Sequence, residues 1–208
     1  GNYVYGVTTG REWFCQSSVI MRKDILDECG IDVSSITDYK DLTDVYATVK
    51  EKYPDMVMMA SNNSATPDTK YEMNDTLTDG FGVLMDHGQD TTVVDYYETD
   101  EYKEFVETMY DWQQKGYLSK DAATTTESAE NQVKAGAAFS YLAPNKPGYD
   151  TRAALLCGTE MEIAPISEPW AGTAQISYLT YGISSSSADK DKTMQCLCLL
   201  YTSDAADD

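Results

Sequence analysis

The chain is poor in the residues that most enzymes and nucleic-acid binders depend on. It has one histidine, His87, so no zinc cluster built on histidines can form and any Ser-His-Asp triad would have to use that residue. No G-x-S-x-G elbow precedes a helix, no G-x-x-x-x-G-K-[ST] loop is present, and no G-x-G-x-x-G follows a strand, which leaves nucleotide binding unsupported. Basic residues are scarce: 15 Lys and Arg stand against 35 Asp and Glu, a formal charge of −20 over 208 residues. Such a polyanion repels phosphate backbones and anionic membranes, so neither nucleic acid nor a lipid surface is an expected partner. Apolar residues are dispersed, and no run approaches the ~20 needed to cross a bilayer. No signal peptide is visible at Gly1, which opens on what reads as mid-domain sequence.

Cysteines are few and irregular: Cys15, Cys29, Cys157, Cys196 and Cys198. An odd number without CxxC spacing is neither a disulfide framework nor a metal or redox motif, and the residues read as small buried hydrophobes. Carboxylates are abundant, but Asp24, Asp27, Asp38, Asp41, Asp44, Glu101 and Glu104 fall at helix caps or on solvated faces. Asp68, Asp75 and Asp79 do not have calcium-loop spacing. No cofactor and no metal ion is expected.

The pattern that is present alternates strands with helices. Strands are expected over 3–9, 17–21, 56–60, 137–143, 161–166 and 176–184, with a strand or hairpin arm at 92–97. Helices are expected over 22–30, 38–53 with Thr37 as N-cap, from an Asp100 N-cap to Gly116 with the apolar stripe Tyr102, Phe105, Val106, Met109, Tyr110 and Trp112, and over 126–135 and 190–200. Residues 61–80 read as a long polar loop. This order predicts α/β layers around a largely parallel sheet. Residues 203–208, Ser-Asp-Ala-Ala-Asp-Asp, abandon the helix pattern and read as a non-native tail of translated adapter sequence, with the foreign stretch beginning as early as Leu199.

Aromatic residues are plentiful, with sixteen Tyr, three Trp and four Phe. Tyr39, Tyr46, Tyr102, Tyr110 and Trp112 fit apolar helix stripes and are expected in the core. Trp13, in Gly10-Arg11-Glu12-Trp13-Phe14, and Trp170, in the Pro/Gly-bounded loop 167–172, lie on links between strands. There they either wall a cleft, offering flat faces that suit the C–H surfaces of sugars, or plug the end of the sheet.

Four segments resemble one family, the bacterial extracellular solute-binding proteins of ABC importers, of the maltose-binding type and the lipoproteins of gut Firmicutes. Tyr5-Gly6-Val7-Thr8-Thr9 leading to Met21-Arg22-Lys23-Asp24-Ile25-Leu26 is similar to the family's YG-x-P-T strand and YRKDLL helix start. Cys29-Gly30-Ile31-Asp32 through Asp41-Leu42 resembles its GID step, and Glu101-Tyr102 through Trp112 and Gly116 its EY…W-x-x-x-G helix. Tyr181-Gly182-Ile183-Ser184 and the helix after it resemble the family's step into a first-lobe helix. Thr8 and Ala188-Asp189-Lys190 depart from the usual residues.

The resemblance implies a periplasmic-binding-protein-like type II fold, mostly the second lobe plus part of the first. Residues 1–14 would form the first-lobe crossover strand, 15–172 the second lobe, and 173–202 the return into the first lobe. It implies a non-enzymatic extracellular binder that captures a sugar or oligosaccharide by hinge closure and docks on permease subunits. Its membrane attachment would be an N-terminal lipid anchor outside this sequence. By motif order the ligand-binding residues would be Arg11, Glu12, Trp13, Tyr141, Asn145, Trp170 and Tyr178. The competing readings are a binder of peptides or other small solutes, and a secreted carbohydrate-active hydrolase with an Asp/Glu pair, which turnover of a chromogenic glycoside discriminates.

Overall fold

A computed structural model describes residues 6–8, 16–61, 74–77, 81–169 and 180–202. Its centre is a four-stranded sheet built from β2 (Ser17–Arg22), β3 (Val57–Met59), β7 (Ala138–Pro144) and β8 (Met161–Pro165), in the order β3-β7-β2-β8. The remaining short strands are β1 (Val7–Thr8), β4 (Asp75–Thr76), β5 (Gly82–Leu84), β6 (Val93–Asp95) and β9 (Thr180–Tyr181). Among the described residues β1 pairs only with β9, antiparallel, and β4, β5 and β6 form a separate antiparallel sheet.

The sheet corrects the expectation of a largely parallel ladder. β3, β7 and β8 point the same way, but β2 is inserted between β7 and β8 and runs against both. Strand direction is mostly shared while two of the three ladders are antiparallel, a distinction that hydrophobic patterning cannot make for strands buried on both faces. β2 is such a strand: Ser18, Val19, Ile20 and Met21 are wholly buried.

Alternation along β2 sends side chains into two cores. Val19 and Met21 join a cluster with Leu26, Tyr39, Leu42, Tyr46, Val49, Phe105 and Trp112. These residues come largely from α1 (Lys23–Cys29), α2 (Leu42–Lys52) and α4 (Asp100–Gln114). Ile20 points the other way, toward Ala129 and Val133 of α5 (Ala129–Lys134) and Ala153 and Cys157 of α6 (Tyr149–Cys157). The larger core is organised around Tyr46, whose ring meets Trp112 at 5.1 Å, Tyr117 at 5.8 Å and Phe139 at 6.2 Å, all edge to face. Its hydroxyl shares a 2.9 Å bond with the buried Ser140, which donates onward to the Met58 carbonyl at 2.7 Å. A phenol buried among rings is thus satisfied without water.

Helix boundaries follow capping chemistry. Gly30 closes α1 at φ +68, a left-handed turn that other residues enter only under strain. The stretch before α2 begins with one 3-10 turn, Tyr39–Asp41, capped by Asp38 rather than by Thr37. Asp41 reaches back to accept the backbone N–H groups of Thr37 at 2.9 Å and Asp38 at 3.0 Å, forming a capping box. α4 is capped by Thr99, one residue ahead of the expected Asp100, with its hydroxyl accepting from the Tyr102 N–H.

Those bonds hold the Asp41 carboxyl below its ordinary value of 3.8, the Thr37 N–H contributing most. A depressed folded value means the stabilisation is present above the unfolded pKa and is lost as pH falls through the lower folded one. Asp41→Ala is expected to lower stability by on the order of 0.5–1 kcal/mol at pH 7. Parallel thermal melts of variant and wild type should converge as pH falls through the depressed folded value, below 3.8; a gap independent of pH would contradict the assignment.

Other placements differ from the sequence reading. Tyr110 and Val106 lie on the exposed side of α4, at 67% and 43% exposure, instead of in the core. The core face of that helix is carried by Phe105 and Trp112 with Tyr102 and Met109 partly buried beside them. Cys157 is buried as expected and Cys29 half-buried, but Cys196 and Cys198 are exposed on α7 (Lys190–Thr202). The short α3 (Met85–Gly88) and the nine-residue α6 were not anticipated. In α6 Leu155 and Leu156 are exposed while Ala153 and Cys157 are buried, so its apolar residues do not trace the buried face.

Candidate functional site at the carboxyl end of the sheet

Ligands of open α/β sheets bind outside the carboxyl ends of the parallel-running strands. Here β7 and β8 both end, at Pro144 and Pro165, beside the start of β2: Ser17 pairs with Pro144 and Ser18 with Pro165. Backbone bonds tie the loops together past the ladder. The Asn145 N–H donates to the Gln16 carbonyl at 2.8 Å, and the Ile166 N–H donates to the Ser17 carbonyl at 2.9 Å. The Ser17 N–H donates to the Ser167 hydroxyl at 2.8 Å, and the Gln16 carboxamide N–H to the Ser167 carbonyl at 3.0 Å.

Beside this junction lies an open hollow of about 320 Å³ lined by Gln16, Asn145, Lys146, Pro147, Gly148, Asp150 and Ile163. The Pro147-Gly148 turn shapes it. Gly148 sits at φ +81 as the N-cap of α6, where a β-carbon would have room but the backbone angle would be strained. The turn leads into α6, whose first-turn Asp150 lines the hollow together with Asn145.

Of the expected ligand residues, Asn145 lines the hollow. Tyr141 does not: it is 2% exposed and packs with Ile20, Val133, Ala153 and Cys157 beneath the site. Burial drives the Tyr141 phenol far above its ordinary value and also raises Tyr149 and the Cys157 thiol. All three are therefore protonated at neutral pH, and the Cys157 thiol has no thiolate character to use as a nucleophile. Arg11, Glu12, Trp13, Trp170 and Tyr178 lie outside the described residues. The segment 9–15 leads into Gln16, and 170–179 follows Pro169, two residues beyond Ser167. Gln16, Lys146, Asp150 and Ile163 were not singled out from the sequence. The signal that would have found the middle pair is the Asn-Lys-Pro-Gly turn directly after a buried strand.

Among the described residues, no group of three or more His, Cys, Asp or Glu side chains gathers as a metal site. No described helix is long and apolar enough to cross a membrane.

No family model matches the chain. A carbohydrate ABC transporter substrate-binding protein of Streptococcus pneumoniae serotype 4 is 26% identical over 200 residues, covering 96% of this chain and 40% of that protein. A crystal structure of the N-glycan transport solute binding protein of Streptococcus pneumoniae in complex with Man1GlcNAc superposes with a TM-score of 0.80 at 27% identity. It matches 96% of this chain and 44% of its own. The chain is similar to ABC transporter solute-binding proteins over nearly all of its length. Its fold is that of a periplasmic-binding-type protein, shared at 12% identity and a TM-score of 0.57 with a Bacillus licheniformis sugar transporter in complex with stachyose. The chain spans less than half the length of the Streptococcus relatives it matches.

Proposed function

We propose that this sequence is the ligand-closing part of an extracellular solute-binding subunit of an ABC importer, one that captures a sugar or oligosaccharide. The observation that carries the reading is the hollow at the carboxyl ends of β7 and β8, lined by Gln16, the residue that follows the segment carrying Trp13. A relative solved in complex with a glycan has the same fold over nearly all of this chain.

In this reading residues 15–172 make one lobe, residues 1–14 and 173–202 the crossing strands and the return into the other. The antiparallel pairing of Val7 with Tyr181 and Thr8 with Thr180, apart from the main sheet, supports it. So does α7, whose Met194 is exposed, as in a helix that packs on a further lobe. Arg11, Glu12, Trp13, Trp170 and Tyr178 would join Asn145 around the solute, with the tryptophans stacking on sugar faces and the polar groups meeting hydroxyls. Tyr141 would support the floor from below.

The mechanism is a population shift. Solute bridging the lobes stabilises the closed form over the open one by the difference in its affinity for the two. The closed form then docks on permease subunits at the cell surface, where a lipid anchor holds the protein. No step is catalytic.

Thermal unfolding of the full-length protein against a panel of oligosaccharides, amino acids and short peptides tests the reading. A matched sugar at about 100 times its dissociation constant should stabilise the native state by roughly 2.7 kcal/mol. Stabilisation by peptides alone would contradict the carbohydrate assignment, and no stabilisation by any solute would contradict the binding reading.

A further inference from the structure

α4 carries more apolar surface than its packing uses. Phe105 and Trp112 are buried, with Tyr102 and Met109 partly buried beside them, and that stripe covers the larger core. A helix with one buried stripe ordinarily turns charged residues to its other side. Here Tyr102, Val106 and Tyr110 make a second ridge at i, i+4 and i+8, with Val106 43% and Tyr110 67% exposed. The ridge continues past the start of the helix. The Tyr102 ring stands edge to face with Tyr97 at 4.8 Å, and Tyr97 with Phe81 at 5.6 Å. Tyr97 and Phe81 are 48% and 60% exposed. At a rise of about 1.5 Å per helical residue, the strip from Phe81 to Tyr110 is roughly 20 Å long.

With about 200 Å² per aromatic side chain, those exposures leave on the order of 350 Å² of ring surface in water. That is under half of the ~800 Å² each partner gives to a standard interface, too little to hold a stable dimer of this chain. Charge argues the same way. From Asp90 to Asp111 the chain carries eight carboxylates and one basic residue, Lys103. Glu104 pairs with Lys40 at 3.0 Å, while Glu98 and Glu107, the chain neighbours of Tyr97 and Val106, are exposed. A second copy would set this acidic border against itself, and a phosphate backbone or anionic lipid surface would meet the same repulsion. A partner with Lys or Arg flanking an apolar stripe matches both features. Its apolar side chains cover the rings, and its cations meet the carboxylates and the tyrosine faces.

We propose that this strip docks a basic amphipathic helix of a partner protein, laid along α4, with Tyr97 and Tyr110 as its anchors. The strip shares no residue with the hollow, so the proposal stands independently of the solute-binding reading. A partner helix of about 14 residues is long enough to cover it.

Fluorescence anisotropy of a labelled Lys/Leu amphipathic peptide of about 18 residues, titrated with the full-length protein, tests this. A peptide of the same composition with its leucines scattered around the helix controls for charge alone. The amphipathic peptide should bind at least about tenfold more tightly than the scattered one, and Tyr110→Ser and Tyr97→Ser should each remove most of that difference. Tyr110 is two-thirds exposed, so Tyr110→Ser should keep the wild-type melting temperature and its stabilisation by saccharide. Changing Glu98 and Glu107 together to Gln should weaken the amphipathic peptide by about fivefold at low salt. The same change at Glu160 and Glu162, at the β8 edge of the main sheet, should alter it by less than about twofold. Equal binding of the two peptides, or equal losses from the two carboxylate pairs, would reduce the contact to bulk charge and overturn the proposal. Self-association of the wild type that Tyr110→Ser abolishes would overturn it in favour of a second copy. Loss of saccharide stabilisation in a folded Tyr110→Ser protein would overturn it by assigning the strip to the solute.

Discussion

Trp112→Ala is expected to remove about 3–5 kcal/mol of folding stability, the range for deleting a large buried aromatic. The indole is fully buried between α4 and α2. It stands edge to face with Tyr46 at 5.1 Å and donates its N–H to the Thr43 hydroxyl at 2.9 Å. Three contributions are lost together: the transfer free energy of the indole, an aromatic pair of about 0.5–1.5 kcal/mol, and a hydrogen bond whose Thr43 partner then turns to water. Tyr46 is also the ring against which Tyr117 and Phe139 pack, so the cavity opens at the hub of the larger core and cannot close by moving one side chain. With typical domain stabilities of about 5–15 kcal/mol, the loss is a large fraction of the total. Urea unfolding of the full-length protein should show a lower midpoint at unchanged slope, and Trp112→Phe should recover more than half of the difference. A loss below about 1 kcal/mol would mean that α4 does not anchor this core.

That helix also illustrates what the sequence conveyed and what it withheld. Its existence, its length and its closing glycine were legible from spacing, because Phe105 and Trp112 repeat at helical intervals and Gly116 adopts φ +69. Which apolar residues faced inward was not, since Val106 and Tyr110 satisfy the same broad stripe and lie outside. The cap moved by one residue because Thr99 and Asp100 are both competent acceptors, and only backbone geometry selects between them. The direction of β2 was hidden for a related reason. A strand buried on both faces looks the same whether its neighbours run with it or against it.

The candidate site divides along similar lines. Asn145 could be placed because a Pro/Asn/Gly loop follows a clear strand. Asp150 and Lys146 could not, since a charged residue near a turn reads as solvated surface until the turn is known to border the hollow. Tyr141 shows the opposite error. A tyrosine near a strand terminus suggests a cleft wall, yet the alternation of β7 turns it toward α5 and α6, where Ala129, Val133 and Ala153 leave room for the ring.

Changing Trp13 and Trp170 together to alanine is expected to weaken saccharide binding by about two orders of magnitude, or roughly 3 kcal/mol. Tryptophans that stack on sugar rings contribute through area and shape rather than through charge, so the loss should be similar at low and high salt. The melting temperature of the ligand-free protein should change little, because side chains that wall a cleft add little to the core. If the two rings instead plug the end of the sheet, the double variant would lose stability without ligand, and its binding per folded molecule would be unaltered. The two roles therefore separate on two axes, affinity and stability.

The measurement that bears most directly on saccharide capture is calorimetric titration of a neutral oligosaccharide into the full-length wild type and the Trp13→Ala, Trp170→Ala double variant. The account predicts saturable one-site binding to the wild type and about 100-fold weaker binding to an equally stable variant. Equal affinities in the two proteins would show that the sugar is held elsewhere, and no heat with any saccharide would contradict the account at its centre.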